Sequence, residues 1–382
     1  MKIMVVARGY PTGRYRMNGL FEYDQVRALV NAGHQVALCF VDLRSAAKVR
    51  AWGFEQRQQD GLTIMGIHIP CGRIPTRVLH RINVWGLRQV YNRIVSTWGR
   101  PDLIHGHFIR MGAAMAEALA DTGIPLVLTE HFSGMHETEL SSGLLRLGHA
   151  TYPRMDGLIT VSQHLADLTE ARFGIKPMVI PNVIQGHWFA QAACIRQEKP
   201  FIFVSTGALT TAKGMDLLVE ACVAAFQRQP DMQLHLFGDG PLRSALAHTI
   251  QQHGLDARIF LRGSCSREVI AHQMGESHAF VLLSRKETFG VAVAEALAAG
   301  LPVLSTRSGG PEEFIHPGNG ILLSDPSVAA VTAHLLTMPD QIHQYPRVDI
   351  AREIQDQFSG PVVADRLTAY YEIVRYESGR SR

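Results

Sequence analysis

Two glutamates eight residues apart, Glu287 and Glu295, flank a short glycine turn in the stretch SRKETFGVAVAEALAAGLPVLSTRSGGPEE, residues 284–313. Carboxylates accept hydrogen bonds, and the hydroxyls of a sugar or a ribose are natural donors to them. Between the two lies Phe289-Gly290, which opens into an alanine-rich segment with helical spacing, Val291 to Ala299. Gly300 stops that helix and Pro302 lies just past it. A loop feeding a helix N-terminus offers unpaired backbone N–H groups and a positive dipole end, which together favour a phosphate. Most glutamate pairs are solvated surface charges. Glu295, however, has Val293, Ala294, Ala296 and Leu297 for neighbours. Such a helix is normally buried, and a carboxylate within it requires donors.

The elements that would position these groups follow a strand–loop–helix rhythm. Lys2 to Ala7 reads as a strand, followed by a loop with Gly19 at the mouth of a helix from Leu20 to Ala32, then a strand from Gln35 to Val41. This is half of a doubly wound α/β unit. No G-x-G-x-x-G is present, which argues against a nicotinamide dinucleotide. Two further strand-like runs end on histidine, one at His105 and His107 and the other at His131. Histidines there stand where open α/β sheets bind ligands. The rhythm restarts with a strand from Phe201 to Thr206, a loop through Gly207 to Lys213-Gly214, and a helix from Met215 to Arg228. Gly238-Asp-Gly240 closes the following strand and by itself is a turn.

Composition bounds the rest. The 382 residues suffice for two domains, and 46% apolar with 19% charged residues describes a globular chain with an ample core. Five scattered cysteines without a C-x-x-C favour a reducing cytosol over a disulfide framework or a zinc site. The apolar run before Arg8 is too short for a signal peptide. Charge is uneven: residues 1–100 hold 15 Lys+Arg against 5 Asp+Glu, and the remainder 22 against 29. An anionic partner for the first part is implied. No nucleic-acid reading motif accompanies it, so a membrane surface fits better than nucleic acid.

The pattern E-T-F-G-x-x-x-x-E-A-x-A-x-G-x-P-V, with G-G-x-x-E behind it, resembles the Glu-x7-Glu signature of the family 4 retaining glycosyltransferases. The resemblance implies the GT-B fold, with two Rossmann-like domains facing each other across a cleft. Its expected parts are an acceptor-binding domain over 1–184, a nucleotide-sugar-binding domain over 185–360, and a helix over 361–382 crossing back to the first. It implies that Glu287 holds hydroxyls of the transferred sugar and Glu295 those of the ribose. Backbone around Thr288, Phe289 and Gly290 would cradle the diphosphate against Lys213. His131 matches the position that faces the donor sugar, whereas His105 and His107 read as structural hydrogen-bonding residues. Gly19 and Gly207 match glycine loops near the donor, with an ordinary tight turn as the other reading of Gly19. Gly238 borders the nucleotide. The loop after Gly207 departs from the family, with Ala208 where an arginine that grips the diphosphate is usual. Arg14, Arg16, Arg285 and Lys286 are candidates to replace it.

Residues 71–100 contain no acidic residue and place Arg73, Arg77 and Arg81 at spacing four, with Trp85 and Arg88 following. Such a basic amphipathic helix either lies on an anionic bilayer or docks on its own domain with a solvated face. The expected activity is metal-independent, retaining hexosyl transfer from a nucleoside-diphosphate sugar, UDP-linked before GDP-linked, with no further cofactor. The expected acceptor is a saccharide or lipid-linked saccharide of an envelope or capsule polysaccharide. Such a transferase would be cytoplasmic, or peripheral on the inner face of the plasma membrane. A nucleotide-sugar epimerase, a phosphorylase or a catalytically silent membrane-docking scaffold on the same fold are the alternatives.

Overall fold

The computed structural model describes residues 1–12, 18–45, 52–59, 61–137, 140–195 and 197–380. Arg14 and Arg16 lie outside the described residues. The chain divides into two compact units, one formed by Met1–Val183 with Gly360–Arg382 and the other by Ile184–Ser359.

The first unit is an eight-stranded sheet. Its strands are β1 (Lys2–Ala7), β2 (Gln35–Arg44), β3 (Gly53–Gln59), β4 (Leu62–Pro70), β5 (Leu103–His107), β6 (Leu126–Glu130), β7 (Gly157–Thr160) and β8 (Met178–Val179). Their spatial order is β3-β4-β2-β1-β5-β6-β7-β8. All pair in parallel except β3, which runs antiparallel to β4 at the edge. Side chains alternate along β1 between two cores. Ile3, Val5 and Ala7 join one cluster with Val26 and Leu29 and with Val363, Leu367 and Tyr371 of the helix Gly360–Arg380. Met4 and Val6 join the other, with Leu87, Val90 and Ile94 of the helix Thr76–Thr97 and Met115 beside them. Helices on both faces bury the sheet, and its strands accordingly read as continuous apolar runs. The β3–β4 hairpin has no counterpart in the sequence expectations, because GFEQRQQ is an exposed edge strand whose polar residues mask its pairing.

The basic segment forms a helix docked on its own unit, one of the two expected arrangements. Its helix starts at Thr76 behind Pro75, so Arg73 lies outside it. Val90 and Ile94 are core residues of their own unit. Arg88 is not a free surface charge: it forks onto both oxygens of Asp121 at 2.5 and 2.7 Å and donates to the Ala118 carbonyl. Arg77, Arg81 and Trp85, on the first half of the helix, are exposed.

The second unit carries six parallel strands, β9 (Phe201–Thr206), β10 (Met232–Phe237), β11 (Ile259–Gly263), β12 (Ala279–Leu282), β13 (Val303–Thr306) and β14 (Gly320–Leu323). Their order is β11-β10-β9-β12-β13-β14, so the strand order reverses between β9 and β12. Ligands of open α/β sheets bind at such a switch point, outside the carboxyl ends of the strands. The loops there pack backbone on backbone. Gly238 has φ +135°, and a Cβ on it would stand 1.8 Å from the Gly207 carbonyl oxygen.

Gly238→Ala is therefore expected to lose at least ~2 kcal/mol more in urea unfolding than Gly254→Ala, whose positive φ has only open space around it. Equal losses would show that the Gly207 and Gly238 loops part freely.

Candidate functional site

The glutamate turn sits at the carboxyl end of β12. Residues 284–290 leave the strand, and the helix Val291–Ala298 begins behind Gly290. Glu287 is held by backbone on both sides: its N–H donates to the Ser308 carbonyl at 2.7 Å, and its own carbonyl accepts from Gly310 N–H at 3.0 Å. The loop cannot shift without breaking these bonds to the turn after β13. Phe289 is buried against Phe314 and Phe358, which pins the start of the helix to the core. At the other end of that helix Arg347 donates to the carbonyls of Ala299, Gln191, Gly275 and Cys194. A guanidinium among C-terminal carbonyls complements the helix dipole.

Each glutamate has its own cation. Lys213 Nζ meets Glu287 Oε1 at 2.5 Å. Lys213 is carried there by the loop after β9, whose Gly214 lies so close to the Leu283 carbonyl that a Cβ would meet it at 2.2 Å. Glu295, 9% exposed, meets Arg267 Nη2 at 2.5 Å, and the Arg267 guanidinium lies 5.8 Å from the centre of the Trp188 ring. Burying a carboxylate is costly without a paired, hydrogen-bonded cation, and both sites supply one. Beside these pairs, the N–H groups of Phe289 and Gly290 and of the first helical residues Val291 and Ala292 make no hydrogen bond among the described residues. A row of unpaired N–H groups at a helix start, next to a lysine, is a place for an anion.

The resemblance assigns Glu287, Lys213, Thr288, Phe289 and Gly290 to one donor without pairing any two of them, and the structure places them within one loop cluster, with Glu295 on the helix behind. Gly207 and Gly238 lie where the two neighbouring loops pack backbone on backbone. Arg267 was missed. It stands next to its N-cap Ser266 in a segment with no motif, and only the approach of its helix to Glu295 reveals it. Arg243 was missed too. Its Nη1 is buried without a hydrogen-bond partner near Gly263, and its helix is joined to the loop carrying Ala208 by a bond from Leu242 N–H to the Leu209 carbonyl. Arg285 and Lys286 are exposed.

In the first unit a second cluster forms at the carboxyl ends of β5 and β6. His107 Nδ1 and His131 Nε2 are 3.0 Å apart. His105 is bonded to the Tyr371 hydroxyl at 2.6 Å and to Thr129 at 2.7 Å, and its ring stacks on His107. The Glu130 carboxylate is buried and accepts from the N–H groups of Ile109, His131 and Phe132 and from Tyr152 O–H. It thereby fixes the backbone at His131. Burial raises the Glu130 pKa against the pull of these four donors. Phe108 adopts φ +67°, an outlier for a bulky residue, and its ring lies 4.9 Å from that of His131 with the Arg8 guanidinium over it. Arg8 in turn pairs with the fully buried Glu22. Gly19, the N-cap of the helix Leu20–Asn31, has φ +62°, and a Cβ would meet the Gly9 carbonyl at 2.1 Å. Loops therefore converge on His131 from three strands.

Two family models cover most of the chain. Glycosyltransferase Family 4 matches residues 22–185, and Glycosyl transferases group 1 matches residues 189–341. The chain belongs to glycosyltransferase family 4. It is 25% identical to the putative teichuronic acid biosynthesis glycosyltransferase TuaC of Bacillus subtilis, over 98% of this chain and 99% of the relative. It is 27% identical to a subunit of the human phosphatidylinositol N-acetylglucosaminyltransferase, over 73% of this chain. The chain spans 59% of the length of that human relative and 51% of its Arabidopsis thaliana counterpart. Among solved structures, sucrose-phosphate synthase of Thermosynechococcus elongatus aligns over 98% of this chain and 99% of its own with a TM-score of 0.72 at 19% identity. Anabaena HepE in complex with UDP and glucose aligns over 97% and 99% with a TM-score of 0.72 at 17% identity. The chain thus has the GT-B fold.

The histidine cluster makes stability depend on pH in a definite direction. Burial lowers His105 to about 3 and His131 to about 4, and holds His107 well below its ordinary value. The unfolded chain takes up these protons near pH 6.5 and the folded chain does not. Stability is therefore present above pH 6.5 and falls as pH drops toward 4, by about 1.4 kcal/mol per pH unit for each histidine. Glu130, with a raised pKa, acts in the opposite sense near the lower end. Urea melts from pH 7.5 to 4.5 should show the fall, and His131→Asn should reduce its slope by about one proton.

Proposed function

We propose that this family 4 transferase moves a hexose or N-acetylhexosamine from a nucleoside-diphosphate sugar to a saccharide or lipid-linked saccharide, with retention and without a metal ion. The observation that carries the reading is the Lys213–Glu287 pair at 2.5 Å beside the unpaired N–H groups of residues 289–292. The diphosphate lies along those N–H groups and against Lys213. Glu295 accepts from the ribose hydroxyls, Glu287 accepts from hydroxyls of the transferred sugar, and His131 acts on the same sugar. Gly207 and Gly238 keep side chains out of the way of the nucleotide, and Gly19 does the same for a loop of the first unit. In the transfer itself the acceptor hydroxyl oxygen bonds to the anomeric carbon and the bond from that carbon to the phosphate oxygen breaks. The acceptor's proton passes to the leaving phosphate, whose growing charge Lys213 and the helix N-terminus neutralise.

A UDP-linked donor is favoured over a GDP-linked one. Anabaena HepE was solved with UDP and glucose, and the human relative is named for an N-acetylglucosaminyltransferase. The teichuronic acid relative and the phosphatidylinositol relative support an envelope polysaccharide or a lipid-linked acceptor. Among the described residues no helix is long and apolar enough to cross a membrane. Peripheral binding is assigned to the exposed first half of the helix Thr76–Thr97, with Arg73 just before it, Arg77, Arg81 and Trp85. Ala208 is the one feature that favours a silent scaffold instead.

A thermal-shift screen against UDP, GDP, ADP and their sugars tests the donor site. A nucleotide at 100 times its dissociation constant should stabilise by about 2.7 kcal/mol. The shift should be largest for a uridine nucleotide, survive EDTA, and disappear in both Lys213→Ala and Glu295→Ala. No shift with any nucleotide would remove the transfer reading and leave the scaffold. Separately, the protein should sediment with phosphatidylglycerol vesicles at low salt and be released at high salt. Arg77→Glu combined with Trp85→Ala should abolish this. Unchanged sedimentation of that variant would show that another surface binds the lipid.

A further inference from the structure

Two histidines from adjacent strands share a single hydrogen bond in the first unit, and the position of its proton decides what His131 can do. His107 Nδ1 faces His131 Nε2 at 3.0 Å, so one of the two nitrogens carries the proton and the other accepts it. The far nitrogen of His107, Nε2, is buried with no hydrogen-bond partner among the described residues. That orphan distinguishes the two arrangements. If His131 Nε2–H is the donor, the proton of neutral His107 sits on its Nε2, a buried N–H with no acceptor. If His107 Nδ1–H is the donor, Nε2 keeps only a lone pair that meets no donor. Orphaned buried N–H groups are rarer and costlier than unfilled acceptors, so the second arrangement is favoured.

We propose that His107 is a positioning residue that donates from Nδ1 to His131 Nε2, and so holds His131 in the tautomer with its proton on Nδ1. His131 then presents an N–H outward and meets an oxygen acceptor on its ligand. In the function proposed above, on which only the identity of that acceptor rests, it is a hydroxyl oxygen of the transferred sugar.

The surroundings keep this geometry in place. The His107 ring lies between those of His105 and His131, at centroid distances of 4.6 and 5.3 Å. His105 cannot slide, because Tyr371 and Thr129 hold its two nitrogens. Phe108 closes the other side of His131 from a backbone conformation that a phenylalanine adopts only under constraint. Neither histidine gains a second proton at neutral pH, because burial, with the Arg8 cation nearby, disfavours the imidazolium form. The Nδ1 of half-buried His131 carries no hydrogen bond to a described residue.

The test is a long-range proton–nitrogen correlation spectrum of the full chain labelled with ¹⁵N-histidine, recorded without substrate. Wild-type His131 should show a protonated Nδ1 and a bare Nε2. In His107→Asn the amide N–H stands close to where Nδ1–H stood, and the same signature should persist. In His107→Leu the donor is lost and His131 should become a mixture of tautomers. With a nucleotide sugar that is turned over, kcat should fall about tenfold in His107→Leu, the scale of one net hydrogen bond, and recover within about threefold in His107→Asn. KM for the nucleotide sugar should move less than kcat. A protonated Nε2 on wild-type His131 would overturn the inference, as would equal loss of turnover in the two variants. The spectra need no substrate. If they show the Nδ1–H form in a protein that turns over no nucleotide sugar, the transfer reading fails while the tautomer assignment stands.

Discussion

Carboxylates that lose water at the ends of parallel strands impose the constraint on which this structure depends. Glu22, Glu130, Glu287 and Glu295 are all buried or nearly so, and each is met by a cation or by several donors. An unpaired carboxylate in such a place would cost several kcal/mol, so the partners are structural requirements as much as chemical ones. Glu130 ties the start of the helix Ile109–Ala118 to β6, and Glu22 ties Arg8 to the helix Leu20–Asn31. The same bonds that satisfy these groups therefore hold the loops of the first unit in register around His131.

In the second unit the pairing has a further consequence. Two carboxylates beside a diphosphate would repel it, yet Lys213 and Arg267 leave the cluster without net charge before any ligand arrives. Lys213 is also able to serve two acceptors at once, since an ammonium has three donors. A phosphate oxygen can join it without expelling Glu287. Arg267 is a planar fork and suits a fixed partner, which is the role it has against Glu295. In the proposed reading, with Ala208 in place of an arginine, more of the phosphate's electrostatics falls to the backbone N–H groups and Lys213.

The helix Thr76–Thr97 shows how one element divides its work along its length. Its second half supplies Leu87, Val90 and Ile94 to the core, and Arg88 is tied to Asp121. Its first half leaves Val78 and Trp85 exposed beside Arg77 and Arg81.

Local pattern alone carried the alternation of strands and helices, the doubly wound class, and the loop from Ser284 to Gly290 with its glutamates. Those features are written in runs of apolar residues, in glycines at turns and in the spacing from Glu287 to Glu295, all of which act over a few residues. Pairings between distant segments were not legible. Arg267 meets Glu295, Lys213 meets Glu287, His107 meets His131 and Tyr371 meets His105 only because strand order and helix packing bring their elements together. The edge strand β3 was hidden for a related reason, since its identity lies in backbone bonds to β4 and not in its polar side chains. The same holds for the basic segment. Its sequence set the charge and the helical period, and only burial against the sheet decided which half of the helix faces inward.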